Sequence, residues 1–481
     1  MGILSNLEPK SVFTFFEEIC AIPHGSGNTA GISRYLVEFA KTRNLKYMQD
    51  EAGNVIIWKD GSFGYETKEP IMLQGHMDMV AVKKPESSID MEREGLRLKI
   101  EGDDILAEGT SLGGDDGIAV AYELALLDSK ELAHPPLECV FTVDEEIGLL
   151  GAKAIDLSHC KAKRMINLDS EEEGIFLAGC AGGMRVDCSL PIKREEVQGI
   201  LCKVHIGGLL GGHSGAEIHK GRANANQLAG RFLLHAKEKV SMRLLDIKGG
   251  LADNAICRET AIQILVADPF ALEMAVKEFD GFIKQEYAVK DSGIFCQLRV
   301  GEPGSYKTLT REETGKAAAL IGCMPDGVQA YSGEVEGLVE TSLNMGLLSS
   351  NEEKISLGFS LRSSLDSAKY ALKAKLFALT ESLGGSCRVS GDYPGWAYRK
   401  DSPLRDRMAE VYKKMYAKEP KLEAIHAGLE CGFFLGKIPE LDCVSIGPDM
   451  KNIHTTEETM SIASVGRTWE FLCRVLREEN F

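Results

Sequence analysis

Apolar positions along this chain follow two periods, and the switches between them mark out the elements. Over residues 8–22, Val12, Phe15, Phe16 and Ile19 recur at three- and four-residue spacing, which predicts a helix with one buried stripe. A second helix is expected over 30–43. Short apolar runs at 71–74, 137–143 and 164–169 predict strands buried in a sheet. Between the first two of these strands, GTSLGGDDG (109–117) forms a glycine loop. A helix follows it, with Ile118, Ala121, Tyr122 and Ala125 on one face. Near the end, LDCVSIG (441–447) predicts another strand. A loop then carries His454, and a last helix turns Val465, Trp469, Leu472 and Leu476 inward.

Strands alternating with helices imply an α/β fold with a mainly parallel sheet flanked by helices. The region 184–393 reads differently. Strand–helix units at 202–207 with 224–236, 262–267 with 270–279 and 355–360 with 365–383 suggest an inserted α+β lid. Their order suggests two related halves. The chain then leaves a catalytic domain, 1–183 and 394–481, and returns to it. A length of 481 residues suits two such domains.

Composition narrows the partners. Hydrophobic residues make up 44% and charged residues 26%, as in a soluble globular protein. A net charge of −17 argues against nucleic acid, which needs a basic surface. No apolar run reaches the ~18 residues of a membrane span, so no membrane partner is expected. The N-terminal residues lack the pattern of a signal peptide. The 13 cysteines show no CxxC spacing and suit reduced thiols, so a cytoplasmic location is expected. HGSGNTAG (24–31) follows a helix rather than a strand, which argues against dinucleotide binding. GGHSG lacks the strand-to-helix context of a nucleophile elbow.

The chemistry gathers at strand ends. Glu145 and Glu146 follow the strand at 137–143, His76 and Asp78 lie just past the strand at 71–74, and Asp169 ends the strand at 164–169. Asp115 lies in the glycine loop and His454 in the late loop. Taken singly, each has an ordinary reading. The paired glutamates would be a solvated surface, Asp115 a helix cap, and His454 a loop residue. Together they supply imidazole nitrogens and carboxylate oxygens, the donors that divalent metals accept in hydrolytic sites. Two ions about 3.5–4 Å apart need a bridging carboxylate, and a spare acid can act as base. In HMD, a carboxylate two residues from the imidazole can fix its tautomer.

The motifs GHMDMV, GGDDGIAVA, FTVDEEIGLLGA, NLDSEEEG and NIHTTEE resemble the co-catalytic zinc exopeptidase family that includes carnosinase, peptidase T and glutamate carboxypeptidase. The resemblance covers the whole chain. GLLGGHSG, IHKGRANAN and HAGLECG are similar to its bacterial aminoacyl-histidine dipeptidase subgroup. It implies two divalent metals, expected to be zinc, with cobalt or manganese able to use the same ligands. His76 and Asp169 would hold one ion, Glu146 and His454 the other, and Asp115 would bridge them. Asp78 would support His76, Glu145 would be the general base, and the Asp115–Asp116 peptide is expected to be cis. His213 would reach from the lid toward the scissile carbonyl. Asn254 and Arg362 would bind the substrate carboxylate or the oxyanion, and Glu430 would meet its free amino group. The expected reaction is hydrolysis of unblocked dipeptides, preferentially Xaa-His peptides such as carnosine. A tripeptidase, aminoacylase or carboxypeptidase is the alternative. The expected partners are a small peptide and a second copy in a homodimer.

Overall fold

The computed structural model describes residues 2–478. Met1 and residues 479–481, the outer ends of the predicted catalytic domain, lie outside them. The chain forms two compact units. One holds the residues up to Gly179, Tyr398–Ala424 and those from Leu429 onward; the other holds Cys180–Ala397 and Ile425–Gly428. The short visit of Ile425–Gly428 to the second unit has no counterpart in the sequence reading.

Among the described residues, the first unit is built on an eight-stranded sheet. Its centre is parallel. Ile71–His76 lies between Leu137–Thr142 and Arg164–Asn167, and Asp442–Ser445 pairs parallel with Arg164–Asn167. Every residue of Ile71–His76 and Leu137–Thr142 is buried, as strands covered on both faces must be. The expected parallel order stops at the edges. Lys46–Gln49, Val55–Lys59 and Leu137–Thr142 pair antiparallel in sequence, and Asp442–Ser445 meets Ile175–Cys180 antiparallel. A parallel neighbour needs a long crossover, but only a tight turn joins the first two strands. There Asp50 Oδ1 accepts from the amides of Gly53 and Asn54, each at 2.9 Å.

Helix Gly114–Asp128 supplies the crossover between Ile71–His76 and Leu137–Thr142, and helix Lys10–Cys20 packs on it. The two approach closely at Gly117, where a Cβ would meet the Phe16 ring at 3.3 Å. Tyr122 is fully buried, donates to the Val465 carbonyl at 2.9 Å and stacks on Trp469 of the last helix. Val465, Leu472 and Leu476 point into the core, while Trp469 covers its margin.

The second unit is a nine-stranded sheet whose pairings are antiparallel. Burial alternates along Gly182–Pro191, so one face carries the core. Helices Ala225–Lys237, Pro269–Glu286, Arg311–Cys323 and Asp366–Ser382 pack on this sheet. The predicted strand–helix succession is seen at Thr260–Val266 followed by Pro269–Glu286. Asp268 caps that helix by accepting from Phe270 N at 3.0 Å, with Pro269 in its first turn.

Candidate metal centre

Parallel strands end together, so residues just beyond them share one rim of the sheet. His76 is the last residue of its strand rather than one beyond it. Its Nδ1 donates to the Asp78 carbonyl at 3.0 Å, which turns Nε2 inward toward the acids. Nε2 lies 3.0 Å from Asp115 Oδ1 and 3.6 Å from Asp169 Oδ1. On the other side, Asp115 Oδ2 is 3.0 Å from His454 Nε2, which is 2.8 Å from Glu146 Oε1. Asp115 therefore offers one oxygen to each imidazole. Ligands around a tetrahedral ion with bonds of ~2.0–2.1 Å stand roughly 3.4 Å apart. The observed separations bracket that distance, so these donors fit two ions with Asp115 between them.

Charge supports the same fit. Burial, opposed by the His76 hydrogen bond and reinforced by Asp115 and Glu146, lifts the Asp169 carboxyl to about 7. Burial first, and then Asp169, Glu430 and Glu146, push Glu145 well above the carboxylate range. Hydrogen bonds to Asp115 and Glu146 hold His454 at about 10. Burial lowers His76, but bonds to Asp115, Asp169 and Asp78 outweigh it and raise the imidazole. This many buried acids around two imidazoles make a cation trap.

Asp116 enters the site as well, which the sequence reading missed. The Asp115–Asp116 peptide is cis. His76, Asp116 and Asp169 also form a metal-sized group. Asp116 Oδ2 accepts from His76 N at 3.1 Å and its Oδ1 has no hydrogen-bond partner among the described residues, whereas both oxygens of Asp115 face imidazoles. Glu458 holds the loop before Asp115 by accepting from the amides of Leu112, Gly113 and Gly114 at 2.8, 3.1 and 2.9 Å.

Asp78 does more than face His76. Its Oδ1 accepts from Glu145 N at 3.0 Å, and its Oδ2 accepts from Ser26 Oγ at 2.8 Å. Burial raises Asp78, but His76, the Glu145 amide and Ser26 overcome it and leave the carboxyl below its ordinary value. Ser26 belongs to the HGSGN loop set aside as a nucleotide motif. The next amide, Gly27 N, donates to Asp144 Oδ1 at 2.7 Å. Asp144 has φ of 54° and turns the chain toward Glu145. The loop thus clamps both the histidine support and the base. Ser26→Ala is expected to weaken metal binding or turnover roughly 10–100-fold, as is typical when a ligand loses its outer hydrogen bond. Metal titration and steady-state kinetics check this, and Ser26→Thr should restore most of the loss.

Glu430 departs from its expected place. It is completely buried, and its Oε2 accepts from Gln74 Nε2 at 2.6 Å and Thr142 Oγ1 at 2.5 Å. Burial lifts it to about 7. It has no exposed surface, and its Oε1 has no hydrogen-bond partner among the described residues. It ties together the two strands that carry His76 and precede Glu145.

The second unit gathers its own polar cluster. His213 Nδ1 accepts from the amides of Gly215 and Ala216 at 3.3 and 3.1 Å, so Nε2 carries the hydrogen. Burial and the charge of Arg362 lower its pKa, which keeps the ring neutral. A Cβ at Gly215 would meet the His213 ring at 3.1 Å and the Arg362 guanidinium at 3.2 Å, so glycine lets the two draw close. Arg362 Nη1 donates to the Tyr393 hydroxyl at 3.4 Å. Asn254 precedes Ala255–Ile256, which pairs with Gly212–His213, and its carbonyl accepts from Ser214 N at 2.8 Å. Asn344 Nδ2 fixes the carbonyls on either side of it, Asp253 O at 2.7 Å and Ala255 O at 3.0 Å. His426 joins this cluster, with Nε2 2.7 Å from Ser342 Oγ; burial and Arg362 lower it to about 4. The HAGLECG motif contained it, but nothing in the sequence gave it a partner.

Comparison with known proteins gives the family. Residues 72–478 match the model of peptidase family M20/M25/M40. The chain is 36% identical over 482 aligned positions to the cytosol non-specific dipeptidase of Escherichia coli, covering 99% of each. It is 34% identical to the aminoacylhistidine dipeptidase of Vibrio alginolyticus, whose crystal structure superposes with a TM-score of 0.94, covering 99% of this chain and 98% of that one. Aminopeptidase PepT from Bacillus cereus shares the fold at 16% identity, with a TM-score of 0.55 and coverage of 98% and 99%. This chain belongs to peptidase family M20/M25/M40.

Proposed function

We propose that the chain is a cytosolic metal-dependent dipeptidase that hydrolyses unblocked dipeptides, with Xaa-His peptides among the preferred substrates. The observation that carries this is Asp115, which spans two imidazoles beside a free glutamate, Glu145. The two similar dipeptidases named above support the substrate class. His76 and Asp169 would hold one ion, Glu146 and His454 the other, with Asp115 shared; zinc suits these donors best, and cobalt or manganese could replace it. When bound, such ions acidify water and polarise a carbonyl.

The chain's own groups do the rest. Glu145 takes the proton of the attacking water and passes it to the departing amine nitrogen. Asp78 orients Glu145 through its backbone amide and His76 through the ring. His213 Nε2–H is a neutral donor suited to the developing oxyanion, and Arg362 is a fork suited to the peptide's terminal carboxylate. Asn254 would assist that grip, and Glu430 would act as a support rather than a contact. The second unit would serve as the lid, and a homodimer is the expected assembly.

Assays with β-Ala-His, Gly-His, a tripeptide and an N-acetyl amino acid test the reading. The free dipeptides should be cleaved at least ~10-fold more efficiently than the tripeptide, and the acetylated compound should not react. A chelator should abolish turnover, and zinc should restore it. Activity on the acetylated substrate alone would replace dipeptidase with aminoacylase.

A further inference from the structure

Two thiols face each other at the edge of the second unit's sheet. Ser386–Tyr393 is an edge strand, paired antiparallel with Gly182–Pro191, and in that register Cys387 stands directly opposite Cys188. Directly opposed residues of antiparallel strands have Cα atoms roughly 4.5–5.5 Å apart. A disulfide spans ~4.4–6.8 Å between Cα atoms, so the backbone already meets its requirement. The two sulfurs are brought to 2.8 Å of each other. Cys188 is buried and Cys387 is half-buried. The thiols turn to the core face of the sheet, Cys188 fully within it and Cys387 packed against its margin beside Leu376, so Cys387 is the sulfur nearer to solvent. Cys387 is the less buried of the two, which favours it as the attacking sulfur.

We propose that Cys188 and Cys387 form a reversible redox pair, oxidised to an intramolecular disulfide by a small hydroperoxide. With hydrogen peroxide, the Cys387 thiolate attacks one oxygen. The O–O bond breaks, the departing hydroxide takes a proton as water, and Cys387 becomes a sulfenic acid. The Cys188 sulfur then attacks the Cys387 sulfur; the S–O bond breaks, and a second water leaves with the Cys188 proton. Two thiols lose two electrons, and the peroxide becomes two waters. A low-mass thiol reverses the change by exchange. The product staples an edge strand otherwise held by one neighbour, which raises the cost of its local opening. This inference is independent of the peptidase reaction.

The test uses the full-length holoenzyme carrying Cys323→Ser, which removes an exposed competing thiol. Hydrogen peroxide should consume two thiols per chain. Non-reduced peptide mapping should join the fragments containing Cys188 and Cys387, and dithiothreitol should separate them. Hydrogen exchange across 386–393 should slow several-fold on oxidation and recover on reduction. Cys387→Ser should lose the linkage. Thiol loss without that linkage, or an undiminished two-thiol loss in Cys387→Ser, would overturn the proposal. So would a chain whose thiols survive peroxide while a free cysteine peptide in the same solution is oxidised.

Discussion

Replacing Glu145 by glutamine is expected to lower kcat by roughly 10³–10⁴-fold while leaving two metal ions per chain. Glutamine keeps the size and the backbone amide bonded to Asp78, so the loop should hold its course. The lost property is proton acceptance. Glu145 keeps a solvent-accessible edge, and its carboxyl is driven upward by burial, then by Asp169, Glu430 and Glu146. A carboxylate in such surroundings binds a proton more readily than a surface acid does, as a base handling water requires. KM should change little, because the substrate grip is assigned elsewhere. Elemental analysis beside kinetics is decisive: retained turnover would remove Glu145 from the reaction, and lost metal would recast it as a ligand.

Asp115→Asn is expected to reduce both metal content and rate, a different signature. Asp115 has one oxygen toward His76 and the other toward His454. The amide leaves one oxygen and turns an NH₂ group, which donates no lone pair, toward one imidazole. Both ions lose a shared negative ligand, so dialysed protein should retain less than one equivalent. Losing ~4 kcal/mol of charge stabilisation corresponds to a rate loss of roughly 10³-fold. Asp169→Asn should instead cost one ion only, because of the two imidazoles Asp169 approaches His76. Two full equivalents in Asp115→Asn would refute the shared position.

Local signals made the outline of this molecule readable. The helices near the N-terminus and the buried strands around His76 and Glu145 follow from apolar spacing, and the structure places them within a few residues. The candidate ligand residues were readable because they cluster at strand ends. The unread parts depend on contacts between distant segments. Ser26 supports Asp78 across 52 positions, and Glu430 reaches Gln74 across 356. No local pattern encodes such pairings. Glu430 misled for the same reason: a glutamate between glycine and cysteine carries no sign of its complete burial. His426 stayed hidden because its partner Ser342 lies 84 residues away.

Strand Asp442–Ser445 sits inside the first sheet, between Arg164–Asn167 and Ile175–Cys180, though it follows both far along the chain. A nascent polypeptide lacking it has a slot through the middle of its sheet, and it also lacks His454. Closing the sheet and completing the candidate metal centre therefore both wait for this later segment. An unfinished chain has no working centre with which to cut peptides in its surroundings.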